Sequence, residues 1–591
     1  MKGGSVPPLP ARIGSALLIV LALVLPFEAA LAHVGSLQLT TVELTLYAAL
    51  AAWGLVTADD VLRGRTSPRS AARVLLREPL VSATTFWTVV VFASAIAAPL
   101  YRHEALKFAL RSLSGVLVFF AARRLTRSPE VARRVTFALL VGASLSATTA
   151  LIETAFPASE RVWGLFRELS FDTFGLRRAS GVFVYPTIGA MYWEAAVPLA
   201  LVAPFLSGEA HPSKARRRVV IAVATSTLLF AAIVASATRS SMAGSALACL
   251  ALFACVRAWS DSLGRAAVYA LVMLTGTSAV AIALPGAGSL LGQRLRWWRD
   301  DTWFGVQYDA PSTPRTVEAA WFFATPVTLR NTGTLTWQRG GPHPTRLASH
   351  WYMDDADPHM RRLADFDGRR TELPADVPPG GEVTLAAVAH APASVGSYRL
   401  AWDVVQEDVT WFSEHGNPSP EQPIEVERTS GGDTSIAPAE VAHVSPGPPA
   451  PSRPELWRAA VVLWREHPAL GIGPDNFRRR YEDVLSPTGA REGQAYTDAR
   501  IHANSLYFET LADLGAFGAL ALLGLAVSLA LATRDAIRKK DALYLGLSFA
   551  AGLFFVHGAS DYFLEFTPTF GLCWMLLGLV AARAAPGDSP E

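Results

Sequence analysis

The chain is short of charge and nearly devoid of cysteine. Charged residues make up 17% of its 591 positions and hydrophobic ones 51%, with a mean hydropathy of +0.28. That balance excludes an ordinary soluble composition. A net charge of +2 is too small to imply a nucleic-acid partner. The three cysteines, Cys249, Cys255 and Cys573, all lie inside apolar runs. They offer neither a disulfide framework nor metal-ligand spacing, so packing is their role. No internal repeat, metal motif or nucleotide-binding glycine loop is present.

What the chain has is long uncharged runs. Segments of spanning length lie at 13–32, 38–57, 80–100, 105–122, 135–156, 182–207, 219–237, 241–256, 266–284, 505–532, 542–558 and 562–582. They predict a polytopic α-helical membrane protein with about twelve transmembrane helices. The first run has Lys2 and Arg12 ahead and Ala30-Leu31-Ala32 behind, like a signal peptide; the second run follows at once, which favours a retained signal anchor. Arginine and lysine cluster on alternate loops: Arg63 to Arg77, Arg123 to Arg134, Lys214 to Arg218, Arg257 with Arg265, and Arg534 to Lys540. By the positive-inside rule both termini are cytoplasmic, and residues 285–501 lie outside the cytoplasm.

The expected organisation is a transmembrane bundle of about nine helices (1–284), a connector (285–315), a β-sandwich (316–428), a Gly/Pro/Ser-rich linker (429–452), a helical loop (453–501) and the C-terminal spans (502–591). The sandwich is read from short alternating runs with turn residues between them, such as Pro326-Val327-Thr328-Leu329-Arg330 before Asn331-Thr332-Gly333. The stretch Leu329 to Trp337, with Trp351, Trp402 and Trp411, resembles immunoglobulin-like domains with a tryptophan-rich core. Core packing is the expected role of these tryptophans, and a sugar-stacking platform is the alternative. Asp354-Asp355-Ala356-Asp357 reads as a solvated turn, and Asp365-Phe366-Asp367-Gly368 lacks the other ligands of a calcium loop.

The most distinctive stretch is Arg500 to Gly518. A polar block with His502, Asn504 and Ser505 opens a helix that turns apolar through Ala532, and Glu509 and Asp513 share one face. Ionisable groups near a membrane face a cavity or a partner; a capped helix with a solvated first turn is the plainer reading.

Several pieces together resemble the O-antigen ligase and Wzy-type O-antigen polymerase superfamily of bacterial inner-membrane glycan transferases. They are Thr238-Arg239-Ser240, Arg453 with Trp457, Pro468 to Phe477, and His502 to Gly518 ending in Gly-x-x-Gly. Gly181 to Pro186 also matches the family's loop ahead of a core helix. The β-sandwich looks like an insertion in the large outer loop. One position departs: Asn504 stands eleven residues before Gly515, where relatives carry histidine. Either His502 takes that role, or Asn504 serves by hydrogen bonding, or the chain is inactive.

The resemblance implies a GT-C-like fold and a metal-independent glycosyltransferase without a cofactor. Its donor would be a polyprenyl-pyrophosphate-linked glycan, its acceptor a hydroxyl on a glycan or on lipid A core, and its setting the lipid bilayer. Ligase and polymerase share these motifs. Arg239 and Arg453 would hold the pyrophosphate, since a guanidinium binds phosphate oxygens bidentately. His502 would be the base, with Asn504, Ser505, Glu509, Asp561 or Glu565 in support, and the helix's N-terminal end would favour phosphate oxygens. A lipid-linked glycan flippase and a non-catalytic glycan-binding scaffold are the competing classes. Polar residues gathered at one face favour the interfacial enzyme over a carrier.

Overall fold

A computed structural model describes residues 9–34, 37–64, 74, 77–167, 171–173, 176–202, 212–256, 268–274, 276–277, 303–310, 312–341, 343–354, 362–407, 409–417, 420–428, 442, 451, 453–485 and 501–584. Most of the expected ninth span (266–284), the connector up to residue 302, most of the 429–452 linker, Asp355 to Asp357 and Arg500 lie outside them.

Thirteen of the described helices build the fold: α1 (Leu9–Val24), α2 (Thr41–Leu62), α3 (Pro79–Ala97), α4 (Arg102–Leu125), α5 (Pro129–Ala155), α6 (Pro186–Val202), α7 (Pro212–Ala235), α8 (Arg239–Val256), α9 (Arg453–Glu466), α10 (Phe477–Leu485), α11 (Leu506–Lys539), α12 (Ala542–His557) and α13 (Thr567–Ala584). Eight among the described residues are long and apolar enough to cross a membrane, and α1 and α12 are shorter apolar helices. The chain is a multi-pass membrane protein. Proline at the first helical position starts α3 and α5. A capping box starts α2: Thr40 Oγ1 accepts from the Glu43 amide (3.2 Å), and Glu43 accepts from the Thr40 amide (3.0 Å). α6 is buried along almost its whole length among α5, α7, α8 and α12.

Two ends differ from the hydropathy reading. The first run stops being helical at Val24, two residues before Pro26, and Ala30–Val34 (β1) pairs with Leu37–Thr40 (β2) instead. The last run becomes helical only at Thr567, leaving 558–566 as a loop that carries Asp561 and Glu565. A further small hairpin joins Phe171–Thr173 (β3) to Leu176–Arg178 (β4).

Residues 306–427 form two sheets. One runs Thr371–Glu372 (β10), Thr345–Met353 (β8), Gly396–Gln406 (β12), Glu421–Glu427 (β14), Thr316–Glu318 (β6), with Arg362–Asp365 (β9) on β8 and Thr410–Trp411 (β13) on β12. The other runs Glu382–His390 (β11), Phe322–Asn331 (β7), Val306–Asp309 (β5). Inward residues alternate along β7 and β11, and one apolar core joins both sheets. Trp337, Trp351, Trp402 and Trp411 are each at most 1% exposed, so none of the four offers a face for stacking a sugar. Asp354 pairs with Arg399 and Asp367 with Arg370.

The element that seats the site is a break in α11. Gly515 sits at φ 64°, ψ −159°, which frees backbone groups on either side of it. The carbonyls of Ala512 and Asp513 accept from the amides of Ile472 and Gly473, both at 3.0 Å. The amides of Ala516 and Phe517 donate to the carbonyls of Pro468 (2.8 Å) and Ala469 (3.1 Å). The Pro468–Phe477 turn thus completes a helix that would otherwise bury unpaired polar groups. Asp513 then accepts the amides of Asp475 (2.7 Å) and Phe477 (2.8 Å), capping α10. Asn476 ties the turn to the Leu100 carbonyl at 2.9 Å. A Cβ on Gly515 would lie 2.5 Å from the Ala469 backbone, and one on Gly471 2.3 Å from Asp513, with both residues at positive φ. Gly515→Ala and Gly471→Ala should each cost at least about 2 kcal/mol, read as a fall in unfolding temperature in detergent. Gly524→Ala, whose Cβ would meet only Ala83 at 3.7 Å, should cost nothing measurable.

Candidate functional site

The segment before α11 is folded back onto the helix by Glu509. Its Oε2 accepts the Ala503 amide at 2.7 Å, and its Oε1 pairs with His502 Nδ1. The other ring nitrogen, Nε2, lies 2.7 Å from Glu565 Oε2. His502 stacks on Tyr562 with ring centres 4.6 Å apart. Trp457 of α9 holds the Ala503 carbonyl (3.0 Å) and stacks on Phe508. The result is a carboxylate–imidazole–carboxylate string. Side-chain exposure rises along it from 1% at Glu509 to 5% at His502 and 28% at Glu565, so it opens outward only at Glu565.

Burial works against a charged His502, but Glu509 and Glu565 outweigh it and hold the ring's pKa up to about 10. For Glu565, burial is likewise outweighed, chiefly by His502, and its carboxyl is pulled below the usual range. Arg478 stands 3.8 Å from Glu565 Oε1 and 2.6 Å from Asp475 Oδ2. Arg111 of α4 donates to the Glu565 carbonyl and reaches Thr567. Burial pushes the Asp475 carboxyl up.

Asn504 is half-buried at φ 48°, a left-handed conformation that asparagine tolerates better than most residues. Ser505 occupies the helix-cap position, but its side chain makes no capping bond. The first amide of α11, from Leu506, donates to the carbonyls of Gly558 (2.7 Å) and Asp561 (3.0 Å). That amide is therefore occupied within the protein and not presented to a phosphate.

A second string lies beside the first. His557, at the end of α12, has Nδ1 2.7 Å from Glu194 Oε2 of α6 and 3.2 Å from Ser241 Oγ. Its Nε2 lies 3.2 Å from Ser240 Oγ and 3.9 Å from Asp561 Oδ2. Gly244 leaves the space for Glu194, since a Cβ there would fall 1.8 Å from Oε1. Arg239 is exposed at the start of α8, next to Ser240. Arg453 is exposed at the start of α9 and within electrostatic reach of His557. Arg453 thus acts on the histidine whose ring also reaches the serine next to Arg239 in sequence, and the loop 558–566 joins that histidine to the His502 string. Glu194 and His557 belong to no motif; the signal that marks them is an ionisable residue inside an apolar run.

The Gly181–Pro186 stretch is held by charge as well. The Ser180 and Gly181 amides donate to Glu153 Oε2 at 3.0 and 2.8 Å, and Arg167 pairs with the other oxygen. Arg178 bonds the Ser236 carbonyl and Thr238 Oγ1, which fixes the turn before Arg239. Among the described residues no group of three or more His, Cys, Asp or Glu is placed to hold a metal ion.

Because the folded-state pKa of His502 is raised, the stability it contributes is complete below about 6.5, the value of the free side chain. It is lost as pH climbs through about 10. The unfolding temperature should therefore fall between pH 6.5 and 10 in the native chain, and the slope should flatten in His502→Gln.

Residues 433–523, which include α9, the Pro468–Phe477 turn, His502 and Gly518, match the O-antigen ligase family. No curated protein matches the chain. A solved structure of the Pseudomonas fluorescens alkylpurine DNA glycosylase, bound to DNA containing an abasic site analogue, aligns at 13% identity over 59% of this chain and 97% of that one. Its TM-score of 0.15 supports no shared fold. The matched segment is the one that interlocks at Gly515 and carries His502 and Glu509, and over it the chain is similar to the O-antigen ligase family.

Proposed function

We propose that the protein moves a glycan from a polyprenyl pyrophosphate to an acceptor hydroxyl at the periplasmic face of a bacterial inner membrane, as an O-antigen ligase or polymerase. The observation that carries this reading is the pairing of two features on one loop. A carboxylate–histidine string opens at Glu565, and four residues earlier Asp561 faces a histidine that Arg453 reaches electrostatically and that contacts Ser240, the residue after Arg239. Such a transfer needs a proton acceptor for the incoming hydroxyl and cations for the departing pyrophosphate. The distribution of arginine and lysine supports cytoplasmic termini, and with them a position outside for both features.

The proton-accepting role moves one group outward from His502. With a pKa near 10, the ring is charged at neutral pH, and a carboxylate already holds each nitrogen. Glu565 is the exposed end of the string and takes the acceptor proton as the hydroxyl oxygen attacks the sugar carbon. The bond from that carbon to the phosphate oxygen breaks, and its electron pair leaves with the pyrophosphate, held by Arg239 and Arg453. His502 and Glu509 keep Glu565 in place and offset its charge. Asn504 serves the turn, and Ser505 the entry to α11. The two facing sheets at 306–427, with their buried tryptophans, support an immunoglobulin-like sandwich inserted in the outer loop.

Transfer from a polyprenyl-pyrophosphate-linked oligosaccharide, measured on the detergent-purified chain, tests these roles. Glu565→Gln should lower kcat by ~10²–10⁴-fold with little change in donor KM. Arg239→Ala and Arg453→Ala should raise donor KM. Asn504→Gly should keep transfer within a few-fold, because glycine accepts the same backbone angle. Undiminished transfer by Glu565→Gln would return the base to His502.

A further inference from the structure

We propose that Ser240 is a ligand of the donor's pyrophosphate and that the buried Glu194–His557 pair behind it is the device that aims its hydroxyl. This rests on the donor reading above and adds three residues to it. The side chains of His557 and Glu194 are 0% and 1% exposed. A lone carboxylate at such a site is costly, so the pair is held net neutral. One proton lies between Glu194 Oε2 and His557 Nδ1, and the other sits on Nε2. That second N–H points at Ser240 Oγ, 3.2 Å away. A serine oxygen that accepts this bond keeps its own hydrogen to donate.

The half-buried Ser240 follows Arg239 in the chain, Arg453 lies within electrostatic reach of the same His557 ring, and neither arginine makes an ion pair with a described residue. Two guanidinium groups and an oriented hydroxyl make a seat for a phosphate group. Asp561 is the carboxylate that faces the same ring, but at 3.9 Å it is beyond hydrogen-bond reach of Nε2, and it accepts the Tyr562 amide at 2.8 Å.

What lies below the seat selects the phosphate's other substituent. A groove of about 390 Å³ runs between α8, α11 and α12, lined by residues such as Leu247, Ala251, Ala530, Phe549, Gly552 and Val556 and, among the described residues, by no charged side chain. Val556 adjoins His557, and Leu247 lies eight residues along α8 from Arg239, roughly 12 Å deeper at the rise of an α-helix. A pyrophosphate seated at Ser240 would send its hydrocarbon into this groove. The ligand class is an isoprenoid pyrophosphate.

Binding of polyprenyl pyrophosphate to the full chain in detergent tests the proposal, with inorganic pyrophosphate and polyprenyl monophosphate as competing probes. Ser240→Ala should weaken binding about 10- to 100-fold, the loss expected for one hydrogen bond to a charged group, and Ser240→Thr should restore most of it. Glu194→Gln and His557→Gln should show losses that do not add to that of Ser240→Ala, since they act through the same hydroxyl. Both competing probes should bind more weakly than the intact lipid. Unchanged affinity in a folded Ser240→Ala, while Arg239→Ala weakens binding, would overturn this inference and leave the donor reading standing. Losses in Glu194→Gln that add fully to those of Ser240→Ala would reduce the pair to a structural one and also overturn it. A native chain that binds no polyprenyl pyrophosphate would sink the donor reading and this inference together.

Discussion

Everything at the candidate site depends on the exchange of backbone hydrogen bonds where α11 breaks. A membrane-spanning helix cannot leave amides and carbonyls unpaired, and the break at Gly515 exposes two of each to the turn at 468–473. The turn supplies all four partners, so neither element is complete alone. Once joined, they fix α9 and α10 against the N-terminal part of α11. That brings Trp457 to the Ala503 carbonyl and Asp513 to the start of α10. The glycines that recur in this region are there because backbone meets backbone.

On that scaffold the chain buries charge in strings. Glu509, His502 and Glu565 form one, Glu194, His557 and Ser240 the other, and the loop 558–566 joins them. Each imidazole is held from both sides, which sets ring orientation and proton position together. The strings differ in access. The His502 string reaches the exterior at a carboxylate, whereas the His557 string ends at a half-buried serine hydroxyl next to Arg239 in sequence.

Cationic and anionic partners elsewhere act as fasteners. Glu153 holds the Ser180 and Gly181 amides, and Arg178 holds the turn that leads to Arg239. These contacts transmit the position of α5 and the 179–181 loop to the arginine proposed to meet the pyrophosphate. Removing charge from α5 would thus be felt at α8, several residues from any substrate.

The sequence by itself determined the membrane class, because apolar run length is a local property that the bilayer reads directly. The family resemblance grouped His502, Arg239, Arg453 and the two glycine-rich motifs, and alternation with turn residues pointed to strands at 316–428, although the first strand of these sheets already begins at Val306 in the expected connector. Hydropathy could not locate the ends of α1 and α13, since Pro26 and the 558–566 loop interrupt helices inside runs that stay apolar. Only the tertiary structure decided which carboxylates meet which histidine. Glu194 and His557 lie 363 positions apart in sequence and 2.7 Å apart in space, and Glu565 reaches His502 from 63 positions away. Local pattern carries no information about such pairings. They arise because α6, α11, α12 and the last loop pack around one point, where each buried charge is retained only if another comes to meet it.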